Sequence, residues 1–395
     1  MKIVIYFKEH ENRIILLASL VISIYLILKS FLMNITIDEA YSFLNFVYVD
    51  DIFNISIANN HFLNTLLMKF STQFSNFEFF LRLPNLLFGL LYIYFSYKIS
   101  IHSKFKLFSI VFFCSFPYAL DLFIHARGYG ISFVLNFIGI NLYLKNSFEK
   151  LETRYIVSSL CFYMASVAIN YNLIFLSSFF IIFTIKHFKE LNRSTIFITS
   201  NLFFLLLSMP ILRLIFISTE PGKPIYGIEN FEFAYYIKYF FGYTLLLNFQ
   251  FEIVTLLISL TLFFFTLKKS YGSELELKYM FYISTFQLFI IPQLFDRPLP
   301  LLRLLTPFLP LLIFWIYLAI ENLDLKISNK KIISFFSLIL FLNLITNLNL
   351  YSSIIWPGIK RSEYIRLIEI NSACVNLPEY GATLEYYLIL YKIIC

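Results

Sequence analysis

Residues 31–84 read FLMNITIDEAYSFLNFVYVDDIFNISIANNHFLNTLLMKFSTQFSNFEFFLRLP. An apolar run of about 20 residues, the length that spans a bilayer, ends at Met33, and two adjacent carboxylates, Asp38 and Glu39, follow shortly after it. Carboxylates held at a membrane surface are expensive to desolvate and by default mark a functional site. The next apolar run begins near Arg82, so this stretch is a half-polar loop between two spans.

The composition is that of a polytopic membrane protein. Of 395 residues, 59% are hydrophobic and only 14% are charged, and the mean hydropathy is +0.76. A soluble core of this length would not absorb that much apolar surface. The formal net charge of +7 does not indicate nucleic acid here, because the basic residues lie in short loops between spans. We therefore expect membrane lipids around the chain and no nucleic-acid partner.

Apolar runs with polar interruptions predict an all-α fold, a polytopic transmembrane helical bundle of about eleven spans with exoplasmic interfacial helices. The first run has no small-residue cleavage site and is interpreted as a retained span, not a signal peptide. The spans are expected near 14–33, 83–101, 107–124, 130–144, 155–169, 172–185, 195–217, 244–267, 279–294, 301–320 and 332–352.

The basic residues predict the orientation of the bundle. Six segments carry three Lys or Arg each and together hold 18 of the chain's 31. Because positively charged loops stay in the cytoplasm, we expect a multi-pass protein of the cell (inner or plasma) membrane, with a cytoplasmic N-terminus and an exoplasmic C-terminus. The predicted cytoplasmic segments are 1–13, 98–106, 145–154, 186–193, 268–278 and 321–331.

The long connections then fall on the outer face. A transmembrane domain over 1–352 carries a first exoplasmic loop at 34–82, a short turn at 125–129 and a second large loop at 218–243, and a short tail follows at 353–395. We therefore expect the chemistry to lie outside. No nucleotide-phosphate loop occurs on the cytoplasmic side. The four cysteines show no metal-binding spacing, so no metal site and no cofactor are predicted, and metal dependence is left open.

Two interfacial helices are predicted in the first loop, where they would cover the bundle as a lid. The first has apolar residues at steps of three and four, at Tyr41, Leu44, Tyr48, Ile52 and Ile55. Asn59 and Asn60 are placed to cap the second. Its apolar stripe comprises Leu63, Leu66, Phe70, Phe74 and Phe77.

Three motifs in this order resemble the GT-C membrane glycosyltransferases. They are the Asp-Glu-Ala just past the first span, the segment LRLPNLLFGLLYIYFSYK at the second, and the outward Ala-Arg-Gly-Tyr at 126–129. The resemblance is to the protein O-mannosyltransferase and lipid A aminoarabinose or galacturonic acid transferase branch. It covers about residues 15–190 well and the C-terminal half only in outline. It implies an enzyme that moves a sugar from a polyprenyl-phosphate donor to a lipid, glycan or protein acceptor, with inversion.

The resemblance assigns catalytic roles to the acidic pair. Asp38 would be the base or the carboxylate that orients the acceptor, and Glu39 would position Asp38 or bond the interfacial helices. The chemistry agrees independently, because an acceptor hydroxyl needs a carboxylate to take its proton, and a departing lipid phosphate needs fixed positive charge.

Three further charged residues are candidates for binding the donor phosphate or for supporting the acidic pair. Arg127 would face the donor phosphate or brace the acidic pair, since a guanidinium fork matches phosphate oxygens. Asp121, near the end of the third span, is either a second acidic site residue or a partner of Arg127. Arg303, embedded in a span, needs a phosphate or carboxylate partner and is expected to bind the donor phosphate.

Five more residues are candidates for substrate binding, each with a structural alternative. His61, where many relatives carry Pro-Pro-Leu-Tyr, would bind the acceptor or the donor phosphate or lie in a helix cap; this departure leaves the subfamily and the sugar open. Arg82 would be a positional anchor, and Tyr129 an aromatic-belt residue. Asn170 and Tyr171 resemble the polar–aromatic pair of the family at an outer turn.

Other functions stay open at this point. A transporter or flippase of lipid-linked sugars shares the hydropathy, although no inverted repeat is visible. An O-antigen-type polymerase is a neighbouring enzyme class, and a non-catalytic membrane scaffold is a third alternative. The embedded Arg303 and the acidic pair favour a glycosyltransferase.

Overall fold

The computed structural model describes residues 2–50, 61–144, 150–191, 273–294 and 308–322, and isolated positions elsewhere. Every regular element in these ranges is helical, as predicted. The α-helices are α1 (Lys2–Leu32), α2 (Ile37–Ser42), α3 (Phe62–Thr72), α4 (Glu78–Ser100), α5 (Lys106–Cys114), α6 (Pro117–Leu122), α7 (Gly128–Leu144), α8 (Leu151–Ala168), α9 (Leu173–Leu191), α10 (Ser273–Leu294) and α11 (Leu309–Glu321). The loop at 218–243, the predicted span at 244–267, and nearly all of 195–217 and 353–395 lie outside the described residues.

Two of these helices are long and apolar enough to cross a bilayer. They are His10–Leu32, within α1, with a mean hydropathy of 2.4, and α4, with 1.4; α7 and α11 are shorter apolar helices. Large apolar side chains such as Leu17, Val21 and Ile24 are exposed along α1, as expected for a helix that contacts lipid.

The third predicted span, 107–124, is two short helices and not one. Pro117 has no N–H group and disfavours a helical conformation at Phe116, which adopts φ −101° and ψ 85°. The Tyr92 hydroxyl on α4 donates a hydrogen bond of 2.7 Å to the Phe113 carbonyl, one of the carbonyls left without a helical partner where α5 ends. Asp121 consequently lies on its own short helix, α6, just before the turn that leads into α7.

The first predicted interfacial helix ends earlier than its apolar pattern indicates. α2 continues as a π-helix over Phe43–Tyr48, and Asp50 has a φ of 62°. This left-handed conformation does not continue a helix, and Asp is among the residues that tolerate it. Ile55, the last residue of the predicted pattern, lies outside the described residues.

The second predicted interfacial helix, α3, ends at Thr72, before Phe74 and Phe77 of its predicted apolar stripe, and the stripe is buried only at Leu63. Phe70 and Phe74 are 57% and 80% exposed. Apolar side chains gain little by facing inward when the outside is a membrane interface, whereas polar side chains still need partners within the protein. The side chains that α3 buries are Leu63, Asn64, Thr65, Met68 and Ser71.

Aromatic packing joins the helices on the inside. Tyr92 on α4 contacts the rings of Phe123, Phe133 and Phe137, with centroids 4.7–5.5 Å apart. A Cβ added to Gly89 on α4 would lie 2.6 Å from the Cβ of Phe123. Glycine therefore permits the close approach of α4 to the segment after α6.

At the end of the bundle opposite the first loop, charged side chains join neighbouring segments. Glu321, at the end of α11, accepts hydrogen bonds from Ser103 and the Lys104 amide after α4. Glu276 on α10 pairs with Lys186 on α9. Segments that the basic residues assign to the cytoplasmic face are thus in contact with one another.

Side-specific thiol labelling tests this arrangement. In a background that keeps only Cys114, which is buried, we expect an impermeant maleimide to label Asp50→Cys from one side of the membrane and Lys104→Cys from the other. Both positions are exposed, and between them runs α4, whose 23 residues span about 34 Å at 1.5 Å per residue. Labelling of both from the same side would contradict the arrangement, and the Cys114-only background should stay unlabelled.

Candidate active site

The two adjacent carboxylates at the start of α2 have different surroundings. Glu39 is fully buried and completes a capping box, because its Oε2 accepts hydrogen bonds from the Thr36 amide (2.9 Å) and hydroxyl (3.1 Å) while the Thr36 hydroxyl accepts from the Glu39 amide. Arg82 of α4, also fully buried, binds both oxygens of Glu39, with Nε to Oε1 and Nη2 to Oε2 at 2.9 Å each. Glu39 therefore joins α2 to α4 through Arg82.

Arg82 also closes the C-terminal end of α1. Its Nη1 donates to the carbonyls of Ser30 (3.2 Å) and Met33 (2.5 Å), and its Nη2 donates to the carbonyl of Asn34 (2.8 Å). These are carbonyls that a helix end leaves without partners. Since its donors are directed at protein acceptors, these contacts favour the anchor interpretation of Arg82 over a substrate contact.

The same carboxylate holds the turn that precedes α7. Glu39 Oε1 accepts a 2.9 Å hydrogen bond from the Ala126 amide, and the Ala126 carbonyl accepts one of the same length from Asn64 on α3. Asn85 on α4 donates in turn to Asn64. Burial by itself would raise the pKa of Glu39, but the Arg82 charge and its hydrogen bonds hold that pKa well below its usual value.

Asp38, by contrast, retains access to its surroundings. Its side chain is 23% exposed, and its Oδ2 lies 3.7 Å from Nη2 of Arg127, which is 1% exposed. Arg127 Nη1 also donates to the Ser42 hydroxyl at 2.8 Å, and that hydroxyl donates to the Asp38 carbonyl at 2.9 Å. The structure thus brings Asp38 and Arg127 together and leaves Asp38 as the accessible member of the acidic pair.

Asp121 forms an ion pair that the sequence did not reveal. Lys29, in the last turn of α1, approaches Asp121 Oδ1 to 2.7 Å, and His125 Nε2 lies 3.3 Å from Asp121 Oδ2. His125 Nδ1 is 3.9 Å from Glu39 Oε1. A lysine inside the first predicted span and a histidine four residues after Asp121 were the available signals for this chain of buried charges.

A second group of predicted residues lies beside this turn. The rings of His61 and Tyr129 meet edge to face, with centroids 4.9 Å apart, and both side chains are buried. Asn170 and Tyr171 are half-buried in a 3₁₀ turn that directly follows α8. Burial raises the pKa of Tyr171, and the neighbouring Tyr129 raises it further.

A close backbone contact packs this turn against the end of α8. A Cβ on Gly128 would lie 2.3 Å from the Ala168 carbonyl oxygen and 3.0 Å from the Cβ of His61. Glycine is therefore required at this point of the Ala-Arg-Gly-Tyr motif for the backbones to approach.

Some predicted features lie beyond the described part of the chain. Arg303 is outside the described residues, and of the tail only Tyr386 is described. Its hydroxyl donates to the Asn76 carbonyl at 2.6 Å, and its ring meets that of Phe43 edge to face. Among the described residues, no group of three or more His, Cys, Asp or Glu is placed to hold a metal ion.

The unequal surroundings of the acidic pair predict unequal effects on stability. We expect Glu39→Gln to lower the free energy of unfolding by about 3 to 5 kcal/mol, because it leaves the buried Arg82 charge without its anionic partner. The neighbouring Asp38→Asn is the matched control and should change it by less than about 1 kcal/mol. Thermal unfolding in detergent at neutral pH measures both, and equal midpoints for Glu39→Gln and wild type would contradict the buried ion pair.

The difference in stability between wild type and Glu39→Gln should depend on pH in a defined direction. The pKa of Glu39 in the folded protein lies below its ordinary value of 4.5, so its contribution to stability is complete above that value and is lost as the pH falls through the folded pKa. The difference in free energy of unfolding between wild type and Glu39→Gln should therefore become smaller only as the pH falls into the acid range. A difference that becomes smaller as the pH rises would contradict the lowered pKa of Glu39.

Comparison with known proteins identifies a solved structure with a similar fold. No protein-family model matches the sequence, and no curated protein matches it. Among solved structures, ArnT from Cupriavidus metallidurans, in a crystal structure bound to undecaprenyl phosphate, is similar to 96% of this chain and 75% of its own, with a TM-score of 0.52 and 10% sequence identity. The chain therefore has the fold of ArnT.

Proposed function

We propose that the chain is a membrane glycosyltransferase that moves a sugar from a polyprenyl-phosphate donor to an acceptor hydroxyl on the exoplasmic side, with inversion. The observation that carries this proposal is the accessible Asp38 carboxylate beside the buried Arg127 guanidinium, at the outer ends of α1 and α4. The shared fold with ArnT supports the lipid-linked donor.

Asp38 is the proposed base or acceptor-orienting carboxylate. In the proposed step it takes the proton of the acceptor hydroxyl while the acceptor oxygen forms a bond to the anomeric carbon of the sugar. The bond from that carbon to the phosphate oxygen breaks, and its electron pair leaves with the polyprenyl phosphate. Attack opposite the leaving group inverts the anomeric centre, so the base and the phosphate lie on opposite sides of the sugar.

The positive charges have separate proposed roles. Arg127, 3.7 Å from Asp38, braces that carboxylate in its charged form, in which it accepts a proton, and Glu39 fixes the helix that carries Asp38. Arg303 is the proposed partner of the donor phosphate, and the group formed by His61, Tyr129, Asn170 and Tyr171 is proposed to contact the substrates.

The surroundings of the reaction are proposed from topology. The protein is placed in the cell (inner or plasma) membrane with a cytoplasmic N-terminus and an exoplasmic C-terminus. The acceptor is a lipid, a glycan or a protein. The charged contacts at Glu276 and Glu321 support a common cytoplasmic side for the segments that carry them.

Substitution of Asp38 tests the chemistry. With a polyprenyl-phosphate sugar and an acceptor extract, we expect Asp38→Asn to lower the rate of sugar transfer at least about 100-fold, the usual contribution of a general base, with an unchanged thermal midpoint. Asp50→Asn is the control, because Asp50 lies in the same loop but is 74% exposed and pairs only with Lys69 among the described residues. It should retain wild-type activity.

The outcomes also separate the other functions. Full transfer activity in Asp38→Asn would refute the assignment of the base. Movement of labelled lipid-linked sugar across liposomes without any transfer would refute the glycosyltransferase and favour a flippase. Growth of a repeating glycan on its own lipid carrier would favour an O-antigen-type polymerase.

A further inference from the structure

A chain of buried charges adjoins the candidate site without taking part in the proposed transfer step. Lys29, Asp121 and His125 are each at most 1% exposed. Lys29 lies in a helix that is apolar enough to span the membrane, where a charged side chain is expensive to place. Such a group persists only when its partners compensate for its burial.

The group of buried charges formed by Lys29, Asp121 and His125 lies next to the turn that carries Arg127. The His125 ring lies between two carboxylates, with Nε2 3.3 Å from Asp121 Oδ2 and Nδ1 3.9 Å from Glu39 Oε1. The Arg127 amide donates a 2.7 Å hydrogen bond to the His125 carbonyl. The backbone of Arg127 is thus tied directly to that of His125.

The charges around His125 favour its imidazolium form. The groups that face it are the carboxylates of Asp121 and Glu39, and these are paired with Lys29 and Arg82 respectively. Burial opposes a charge on the ring, but the hydrogen bonds to Asp121 and Glu39 and their negative charges raise the pKa of His125 above its ordinary value. A charged ring donates from Nε2 to Asp121 at 3.3 Å, and its Nδ1 faces Glu39 at 3.9 Å, so it attracts both carboxylates.

We propose that His125 is a positioning residue of the transfer reaction: held between Asp121 and Glu39, it fixes the Ala126–Arg127 segment so that Arg127 lies against Asp38, and the Lys29–Asp121 ion pair holds His125 in place. The effect of His125 on catalysis rests on the proposed function, whereas the placement of the His125 ring does not depend on that proposal.

The alternative is that these charges only stabilise the bundle, and a double-mutant cycle separates the two. Lys29→Met and Asp121→Asn each leave one buried charge without its partner and should lower the thermal midpoint. The double variant removes both charges and should recover most of the midpoint. We expect it to remain about 100-fold slower in sugar transfer, because an amide at 121 no longer holds the charged ring and a small misplacement of reacting groups has an effect of that size.

One control uses an ion pair outside this group of buried charges, and a second comparison uses two substitutions of His125. Lys69→Met with Asp50→Asn removes an exposed ion pair of the same loop and should change neither midpoint nor rate. His125→Gln, which keeps one hydrogen-bond donor, should be less impaired than His125→Phe. A Lys29→Met/Asp121→Asn variant with wild-type midpoint and wild-type rate would overturn the proposal.

Histidine titration followed by nitrogen NMR tests the placement without any activity. The chain has five histidines, and His125→Gln identifies the signal. We expect this signal to remain imidazolium above pH 6.5, the ordinary histidine pKa, and to lose its proton at lower pH in the double variant. An identical titration in both proteins would overturn the proposal. If the wild type transfers no sugar, the proposed function fails and the titration still decides whether the ion pair holds His125.

Discussion

The bidentate ion pair between Glu39 and Arg82 is the interaction on which the arrangement of the site depends. Arg82 closes the end of α1 through three backbone carbonyls, and Glu39 caps α2 and holds the Ala126 amide. Two side chains therefore connect α1, α2, α4 and the turn before α7. Because both are fully buried, neither charge is screened by water, and removing either one leaves the other in a medium that cannot solvate it.

This arrangement explains why two neighbouring carboxylates have different roles. Successive residues of a helix point about 100° apart, because there are 3.6 residues per turn. On α2 that rotation turns Glu39 into the protein and leaves Asp38 partly exposed beside Arg127. The Glu39 carboxylate is then fully engaged in structural hydrogen bonds. The Asp38 carboxylate lies near the Arg127 guanidinium and remains partly exposed.

The sequence predicts the helical fold class and names Asp38 and Arg127, which the structure brings together, and the limits of that prediction have physical causes. Charge placed at the ends of apolar runs identified Asp38, Glu39 and Arg127, since membrane burial leaves few reasons for such residues. The partnership of Lys29 with Asp121 was not visible, because it depends on the break at Pro117 and on the packing of α1 against α4 and α5. Periodicity located α3 but not its buried face, since periodicity does not distinguish water from lipid outside.

The orientation of α3 has a consequence for the turn that carries Arg127. Phe70 on α3 is exposed, while Asn64 on the same helix holds the Ala126 carbonyl. A displacement of α3 at its exposed face would therefore reach the turn that precedes α7 through a single side-chain amide. The medium around Phe70 and the backbone beside Arg127 are in this way mechanically connected.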